Sequence, residues 1–426
     1  MTGLDFLNSC PPFIESRGFT LETAQALMAA LDHPQDKVKT IHITGTNGKG
    51  STGAILASMI YASGATVGHY TSPHLTSVTE RCLINGLPVP EQELDRALLK
   101  VMNVSNEHQL TPSYFEAITA AAFLVFAEKN LDYVVTEVGL GGRLDATNTI
   151  KASELSLVTT IALDHTTFLG NSLTLIAAEK AGVMRRGKLC LVGPVSEEPE
   201  TMLVEMATVR GAHLELLGVD FELDRSLRFF YFQGEKCQLD LTGFKLLGEH
   251  QLHNLALAVR AALALGIHRE FIEQGAIAAR WPGRLEEFNY GNPPRRVILD
   301  GAHNVQGVEA LLEFCSTLKG PIVFICSILA HKDWPGMLSR VKNFLETRQS
   351  ALIIWTKSEN PQALDPDELR AFFQTGEVIP NPKLALDCAA TKSPEAATIL
   401  IFGSLYLLGD LRAHIAGNKF STIITA

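Results

Sequence analysis

Short apolar runs alternate with segments of helical periodicity over most of the chain. Residues 40–44 form a run rich in β-branched side chains, and a glycine-rich turn then leads into residues 51–63, where apolar positions recur at helical spacing. Further runs of strand length are residues 66–71, 133–137, 155–163 and 189–193. This alternation is typical of a parallel α/β sheet, in which strands are buried on both faces.

The pattern is interrupted at residues 281–294, where Trp-Pro-Gly and Tyr-Gly-Asn-Pro-Pro can continue neither a helix nor a central strand. Further predicted strands follow at residues 296–300, 321–327, 351–355 and 397–403. We therefore expect an α/β fold with two domains, residues 1–284 and a smaller Rossmann-like unit at 285–426. Within the first domain, residues 250–266 predict an amphipathic helix and residues 214–243 a small antiparallel excursion.

Composition narrows the class of protein. Of the 426 residues, 46% are hydrophobic and 19% are charged, which favours a large buried interior. The net charge of −10 argues against nucleic acid or an anionic membrane as the main partner. The longest apolar run, residues 118–127, is too short to cross a bilayer, and the seven cysteines are scattered. We expect a soluble cytoplasmic protein without a membrane or nucleic-acid partner.

The turn at residues 45–51 reads Gly-Thr-Asn-Gly-Lys-Gly-Ser and joins a predicted strand to a predicted helix. Glycines let backbone N–H groups approach phosphate oxygens, the helix N-terminus adds positive potential, and Lys49 supplies a charge. The spacing departs from the usual P-loop, because Gly50 separates the lysine from the hydroxyl of Ser51. An ordinary tight turn is the alternative, but the combination favours phosphate binding.

Side chains able to bind a metal follow three other predicted strands. Ser72 follows one strand, Glu137 ends the next, and Asp164 and His165 follow a third. Ligands bind beyond the carboxyl ends of parallel strands, so these groups could converge on the Mg²⁺ of a nucleotide. Taken singly, each has a structural explanation: a turn residue, a helix cap or a buried histidine. Their shared position favours metal binding.

Four more residues are candidates. Lys180 lies in a short helix with little charge around it and, by itself, is interpreted as a surface lysine. Arg284, Asp300 and His303 flank the expected cleft between the domains. Arg284 would suit a phosphate, and Asp300 a ribose or an adenine edge. A salt bridge at the hinge explains them equally well.

Several motifs resemble the folylpolyglutamate synthase/dihydrofolate synthase family, and they occur in the family's order over nearly the whole chain. They lie at 45–51, 71–75 (Thr-Ser-Pro-His-Leu), 79–81, 137–148 (Glu-Val-Gly-Leu-Gly-Gly-Arg-Leu-Asp-Ala-Thr-Asn), 163–166, 179–182, 281–284 and 300–304. The resemblance implies a P-loop N-terminal domain like that of the related Mur ligases. The long run at 137–148 separates this chain from the Mur ligases themselves.

The resemblance also implies an ATP-dependent amide ligase with ATP and Mg²⁺ as cofactors and the active site in the cleft between the domains. A carboxylate would take the γ-phosphoryl group of ATP, and the amine of L-glutamate would displace the phosphate. Lys49, Lys180 and His303 are the implied catalytic residues. The implied nucleotide contacts are Thr46, Asn47, Gly48, Lys49, Gly50, Ser51, Asn254, Arg284 and Asp300. The implied metal ligands are Ser72, Glu137, His165 and Lys180, the last as a carbamate.

The implied substrates are dihydropteroate, tetrahydrofolate with its polyglutamates, and L-glutamate. Dihydropteroate would bind at Ser113, Tyr114, Phe115 and Glu116, and the protein would be a monomer. Three alternatives remain: folylpolyglutamate synthase activity alone, a Mur-type amino-acid ligase, and a nucleotide-binding switch. A GTPase switch would need an Asn/Thr-Lys-x-Asp motif, and the nearest string, Thr-Lys-Ser-Glu at 356–359, lacks the aspartate.

Overall fold

The computed structural model describes residues 1–12, 18, 20–348 and 351–416. The chain forms two compact units. Of the described residues, the first unit contains Met1–Lys245 and Gln251–Arg280, and the second contains Leu246–His250 and residues 281–416. The structure divides the chain between Arg280 and Trp281, whereas the sequence analysis placed the boundary after residue 284. The functional assignment of each domain stays a prediction.

The first unit is built on one large sheet with helices on both faces. Its strands are β1 (Lys39–Thr44), β2 (Val67–Tyr70), β3 (Cys82–Ile84), β4 (Leu87–Pro88), β5 (Tyr133–Glu137), β6 (Ser153–Val158), β7 (Leu189–Val192), β8 (His213–Leu216), β9 (Phe221–Leu223), β10 (Phe229–Phe232) and β11 (Glu235–Gln238). Its helices are α1 (Gly3–Ser9), α2 (Glu22–Ala30), α3 (Lys49–Ala62), α4 (Glu91–Glu107), α5 (Tyr114–Glu128), α6 (Thr166–Leu169), α7 (Leu173–Lys180), α8 (Glu197–Arg210), α9 (Glu249–Ala264) and α10 (Arg269–Ala278).

The large sheet has the strand order β4-β3-β2-β5-β1-β6-β7-β8. Strands β2, β5, β1, β6, β7 and β8 are parallel, and only β3 and β4 pair antiparallel at one edge. One core cluster joins the sheet to α4 and α5, and another joins β6 and β7 to α7 and α8. Strands β1, β2 and β5 therefore end side by side at the middle of one sheet edge.

Two predictions for this unit need correction. The predicted strand at 155–163 is too long, since β6 ends at Val158. The residues that follow bond to the 45–51 loop instead of continuing the ladder, so His165 lies on a loop and not directly at a strand end. The predicted excursion at 214–243 is only partly right. Strand β8 extends the parallel sheet, and only β9, β10 and β11 form a separate antiparallel sheet.

The second unit is a smaller α/β layer structure. Its elements are β12 (Glu286–Tyr290), β13 (Arg295–Leu299), α11 (Val305–Thr317), β14 (Ile322–Cys326), α12 (Trp334–Glu346), β15 (Ala351–Trp355), α13 (Pro366–Phe373), β16 (Glu377–Val378), α14 (Pro382–Lys392), β17 (Thr398–Phe402) and α15 (Leu405–Ala416). The strand order is β12-β13-β17-β14-β15-β16, and all pairs are parallel except β12 with β13. The predicted fold class is confirmed.

Among the described residues, no helix is both long enough and apolar enough to span a bilayer.

Candidate active site

The loop between β1 and α3 has the geometry of a phosphate-binding loop. Gly48 is the N-cap of α3 and has φ +90°, in the left-handed region that glycine adopts without strain. A Cβ at this position would lie 2.5 Å from Oδ1 of Asn254, so the close approach of α9 also requires glycine. Helix α3 has no side-chain cap, and its first-turn N–H groups therefore face outward as an anion site.

Two threonines after β6 hold this loop in place. The Thr46 N–H donates to the Thr160 carbonyl over 2.8 Å, and the Thr159 hydroxyl donates to the Asn47 carbonyl over 2.6 Å. The Thr160 hydroxyl accepts from the Asn47 N–H at 3.0 Å. The loop is thus fixed before any ligand binds, which lowers the entropic cost of ordering it. Thr159 and Thr160 were not predicted from the sequence.

Helix α9 covers the first turn of α3. Asn254 is 4% exposed, and its Oδ1 accepts from the Thr52 hydroxyl at 3.2 Å. Gln251 donates to the Ser51 hydroxyl at 3.3 Å and accepts from Asn254 at 2.9 Å. Two residues predicted to contact the nucleotide, Asn254 and Ser51, therefore lie in one hydrogen-bond network. Gln251 connects them and was not predicted from the sequence.

Lys49 and Glu137 lie next to each other at the sheet edge. The Lys49 ammonium donates to the carbonyls of Gly45 and Thr46 at 3.0 and 3.2 Å, and it lies 3.8 Å from Oε1 of Glu137. The other carboxylate oxygen, Oε2, accepts from the Thr71 hydroxyl at 2.6 Å and from the Ser72 N–H at 3.3 Å. A carboxylate at the end of β5, a serine after β2 and a lysine after β1 are thus gathered at one point.

Lys180 is not a surface residue, which corrects the interpretation of this residue taken by itself. The residue is 3% exposed at the end of α7. The pKa of the ammonium is lowered to about 7, chiefly by burial and then by the positive charge of Lys49, while the carboxylates of Asp164 and Asp145 oppose the shift. The side chain therefore faces the charges of the site, and close to neutral pH much of its amine is unprotonated.

His165 lies on the loop that follows β6. The residue has φ +52° and is the N-cap of the short helix α6. Its side chain is 38% exposed, and Nε2 lies 3.9 Å from Oδ1 of Asp164. The structure therefore leaves the imidazole accessible on the loop whose earlier residues hold the phosphate-binding turn.

The run 137–148 interlocks with residues 179–185. The N–H of Arg143 donates to the Glu179 carbonyl at 2.9 Å, and its guanidinium donates twice to the Glu179 carboxylate at 2.7 and 2.9 Å. Gly182 lies so close that a Cβ there would be 2.3 Å from Cα of Arg143. Arg185 donates to Oδ1 of Asn148 at 2.6 Å. These contacts fix Lys180 relative to Glu137.

The start of α5 carries the predicted dihydropteroate contacts. Ser113 and Glu116 form a capping box, in which the Ser113 N–H and hydroxyl donate to the Glu116 carboxylate at 2.8 Å each. Both side chains therefore have a structural role. Phe115 is half-buried, its ring lies 6.1 Å from that of Tyr70, and a Cβ at Gly139 would be 2.4 Å from Cζ of the Phe115 ring. Phe115 thus links α5 to the 137–148 run.

Arg284, Asp300 and His303 form a separate cluster in the second unit. Asp300 is 7% exposed and accepts the N–H groups of Leu285 and Ala302, both at 3.0 Å. Burial raises the pKa of its carboxyl group, and the nearby Arg284 opposes that shift. Nδ1 of His303 lies 2.7 Å from the Gly301 carbonyl, to which it donates. That bond leaves Nε2 as the ring nitrogen that can accept a proton.

The group formed by Lys49, Ser72 and Glu137 in the first unit could bind a divalent cation, with part of the ligands being oxygens other than carboxylates. Among the residues described, no group of three or more His, Cys, Asp and Glu side chains could hold a metal by itself. The Glu137 carboxylate, however, has a side-chain exposure of only 6% and already stands beside the positive charge of Lys49. Glu137 and Ser72 would contribute oxygen ligands of the kind that magnesium prefers, with phosphate oxygens completing the set.

An uncapped helix N-terminus behind a glycine loop, with a lysine beside a buried carboxylate, has the geometry of a phosphate-binding site. Residues 283–405 match the family model described as Mur ligase, glutamate ligase domain. The chain belongs to the dihydrofolate synthase/folylpolyglutamate synthase family, as the motifs predicted.

The relatives share most of their length with this chain. Dihydrofolate synthase/folylpolyglutamate synthase of Bacillus subtilis is 34% identical, over 91% of this chain and 93% of the relative. Folylpolyglutamate synthase of Lacticaseibacillus casei is 32% identical, over 92% and 94%. A structure of E. coli FolC in complex with DHPP and ADP has a TM-score of 0.88 and 29% identity, covering 99% of both chains. The predicted enzyme class is confirmed.

Proposed function

We propose that this enzyme joins the amino group of L-glutamate to a carboxylate of dihydropteroate, and also to tetrahydrofolate and its polyglutamates, with ATP and Mg²⁺ as cofactors. The observation that carries the proposal is the placement of Lys49, 3.8 Å from Glu137, at the uncapped N-terminus of α3. This arrangement suits a transferring phosphoryl group, whose negative charge needs fixed donors and cations around it.

The reaction proceeds in two displacement steps. The substrate carboxylate attacks the γ-phosphorus of ATP, the bond to the β-phosphate oxygen breaks, and ADP leaves. The amine of glutamate then attacks the acyl carbon, an amide bond forms, and inorganic phosphate leaves with the former carboxylate oxygen. No side-chain nucleophile is needed, so the protein's contribution is positioning and charge stabilisation.

The first unit provides the phosphate and metal contacts. The N–H groups of Gly48, Gly50 and Ser51 bind phosphate oxygens at the uncapped start of α3, and Lys49 binds the transferring group. Thr46 and Asn47 shape the loop, because their own N–H groups are bonded to Thr160. Asn254 holds the start of α3 in place. Ser72, Glu137, His165 and carbamylated Lys180 hold magnesium, which when bound neutralises charge on the transferring phosphoryl group.

The second unit carries further contacts that the motifs imply. Arg284 binds phosphate, and Asp300, whose oxygens are already held by two backbone N–H groups, contacts the nucleoside. Nε2 of His303 accepts a proton from the glutamate ammonium, because Nδ1 is committed to the Gly301 carbonyl. The amine must lose that proton before it can act as a nucleophile.

The pterin ring lies against Phe115, with Tyr114 beside it. Tyr114 and Phe115 are both half-buried at the first turn of α5, and Arg81 lies 5.4 Å from the centre of the Tyr114 ring. Aromatic faces of this kind suit a flat heterocycle. Ser113 and Glu116 support the site by holding the start of α5.

The experiment that tests the proposal is phosphate release from ATP with each acceptor in turn. The purified enzyme is assayed with dihydropteroate and tetrahydrofolate, each with and without L-glutamate. We expect glutamate-dependent release with both acceptors. Release with tetrahydrofolate alone supports folylpolyglutamate synthase activity only, a name that the L. casei relative carries. Release that does not depend on glutamate contradicts the ligase. The monomeric state, the cytoplasmic location and the absence of a nucleic-acid partner stay predictions.

A further inference from the structure

A continuous line of hydrogen bonds connects the centre of β1 with the 137–148 run. Nε2 of His42 lies 2.8 Å from the hydroxyl of Thr147, and that hydroxyl lies 2.6 Å from Oδ1 of Asp145. The N–H of Thr147 donates to the same oxygen at 3.0 Å, and the N–H of Leu140 donates to Oδ2 at 2.8 Å. The line therefore reaches from the sheet interior to both ends of the turn 140–145.

The chemistry of the three groups fixes the direction of every bond. Burial raises the pKa of the Asp145 carboxyl group, but the hydrogen bonds from Thr147 and Leu140 oppose that shift and favour the ionised form. An ionised carboxylate can only accept, so the single hydroxyl hydrogen of Thr147 points to Asp145. The Thr147 oxygen must then accept from His42, and the ring of His42 carries its hydrogen on Nε2. Each bond polarises the next in the same direction, which strengthens the series in a medium that excludes water.

The line is buried along its whole length. His42 and Thr147 are 0% exposed and Asp145 is 5% exposed. Burial, with a smaller contribution from the charge of Arg185, lowers the pKa of His42 to about 3. The imidazole is therefore neutral over the whole working range of an enzyme, and its role is to donate a hydrogen bond.

The turn held by Asp145 faces two functional regions. Gly139 precedes it and lies against Phe115, where the pterin is proposed to bind. Arg143, within the turn, is bonded to Glu179, the neighbour of Lys180. The charge of Asp145 also acts on both Lys180 and Tyr70. A displacement of this turn would therefore disturb the acceptor site and the lysine together.

We propose that His42 and Thr147 together are positioning residues for the reaction: His42 orients the Thr147 hydroxyl, and that hydroxyl holds the Asp145 carboxylate and with it the turn between Phe115 and Lys180. This inference rests on the proposed function, because it assigns the turn to the acceptor site of the ligase. The phosphate-binding loop is held by separate bonds from Thr159 and Thr160, and the turn meets the strand before that loop through one bond, from the Thr44 hydroxyl to the Gly141 carbonyl at 2.6 Å. We therefore expect a larger effect on the acceptor than on ATP.

The test is the pair Thr147→Val and Thr147→Ser. Valine has nearly the same shape as threonine but no hydroxyl, whereas serine keeps the hydroxyl and both hydrogen bonds. We expect Thr147→Val to raise the KM for dihydropteroate by roughly tenfold or more, with less than about a twofold change in the KM for ATP. Thr147→Ser should restore most of the difference. Thr40→Val, a buried change at the start of β1 whose hydroxyl bonds only to the Val38 carbonyl, is the matched control.

The outcomes separate this inference from the proposed function. If the wild-type enzyme shows no glutamate-dependent phosphate release, the proposed function fails, whatever the variants do. If the wild-type enzyme is active and Thr147→Val has the KM values of Thr40→Val, the positioning role is wrong. A lower melting temperature with unchanged KM values means that the bonds only stabilise the fold, which also overturns the proposal.

A measurement on the wild-type enzyme covers the case in which Thr147→Val does not fold. Nitrogen-15 NMR of labelled histidines, with His42 assigned from a His42→Gln variant, reports which ring nitrogen carries the hydrogen. A neutral ring protonated on Nε2 and unchanged between pH 5.5 and pH 8 supports the line of bonds. A ring protonated on Nδ1, or one that titrates in this range, contradicts it.

Discussion

Lys49 illustrates how one charge can matter for rate and little for folding. Its ammonium bonds to carbonyls of its own loop, and the first turn of α3 is held independently by α9. Lys49→Ala should lower kcat by more than tenfold, because the positive charge beside the transferring phosphate is lost. The melting temperature should stay within a few degrees of wild type, because Glu137 keeps its hydrogen bonds from Thr71 and Ser72. Steady-state phosphate release measures the effect.

Lys37→Ala is the matched control for that change, since Lys37 is half-exposed and pairs only with Asp32 on the surface. Retention of more than about a tenth of kcat by Lys49→Ala corresponds to a loss below ~1.4 kcal/mol. Such a result would show that the lysine does not stabilise the transition state.

Lys180 is expected to carry a carbamate. A neutral amine reacts with CO₂, and its neutral fraction grows as the pH rises through a pKa of about 7. The reaction replaces a buried positive charge with an anionic oxygen ligand that magnesium prefers. Enzyme equilibrated with ¹³C-bicarbonate should show a carbamate carbon signal by NMR, and the signal should increase from pH 6 to pH 8.

Lys180→Met removes the reactive amine and should abolish both the signal and glutamate-dependent turnover. Lys188, a half-exposed lysine paired with Glu154, provides the control variant Lys188→Met, in which the signal should persist. An identical signal in wild type and Lys180→Met would rule out carbamylation at this residue.

Single site residues could be predicted from the sequence where a motif places the functional groups at a few adjacent positions. The 45–51 turn and Glu137 are such cases. The burial of Lys180 has no local signal, because it depends on a segment that is distant in sequence: Arg143 packs against Gly182 and bonds to Glu179. His42 had no signal at all, since a histidine inside a buried strand is usually a packed core residue.

Helix α5 tests whether a half-buried aromatic serves packing or binding. Phe115 contacts Tyr70 and lies against Gly139, so part of its ring is available to a ligand at the start of the helix. We expect Phe115→Ala to raise the KM for dihydropteroate more than the KM for ATP, because the described contacts of the Phe115 ring are with Tyr70 and Gly139 rather than with the 45–51 loop. Initial rates at varied concentrations of each substrate give both values.

Phe115→Leu keeps most of the apolar volume and should lie between wild type and alanine. Tyr61→Ala, a change of an exposed aromatic residue on α3, controls for the loss of a ring elsewhere. Equal increases in the two KM values for Phe115→Ala would mean that the residue only packs against the core.

Helices and central strands followed from the sequence because each carries its own periodicity. The start of α5 was also visible, since Ser113 and Glu116 have the spacing of a capping box. The length of β6 was not, because residues 159–162 are as apolar and β-branched as the strand before them. The strand ends because residues 159 and 162 form hydrogen bonds with the 45–51 loop. These bonds join residues that are more than a hundred positions apart, so they produce no recognisable pattern in the local sequence.

The whole enzyme is expected to use one metal and nucleotide site for both acceptors. Glu137 lies at the point where β1, β2 and β5 end, and its described hydrogen bonds and ion pair are with Thr71, Ser72 and Lys49. Glu137→Gln should therefore depress dihydrofolate synthase and folylpolyglutamate synthase turnover by the same factor. Parallel assays with the two acceptors under identical conditions measure that ratio.

Glu154→Gln, at the other end of the sheet and half-exposed, should leave both rates unchanged. Near wild-type turnover of one acceptor by Glu137→Gln would require two independent sites and would contradict the assignment of this carboxylate.

The interlocking of residues 137–148 with residues 179–185 has a consequence for how such enzymes can diverge. Gly182 tolerates no side chain because the backbone of Arg143 lies against it, and Arg185 reaches back to Asn148. A change in the course of either segment therefore removes the surface on which the other rests. Exchanging one segment between relatives should produce an inactive chimera, whereas exchanging both as a pair should restore activity. We therefore expect the two segments to change together during the evolution of these enzymes.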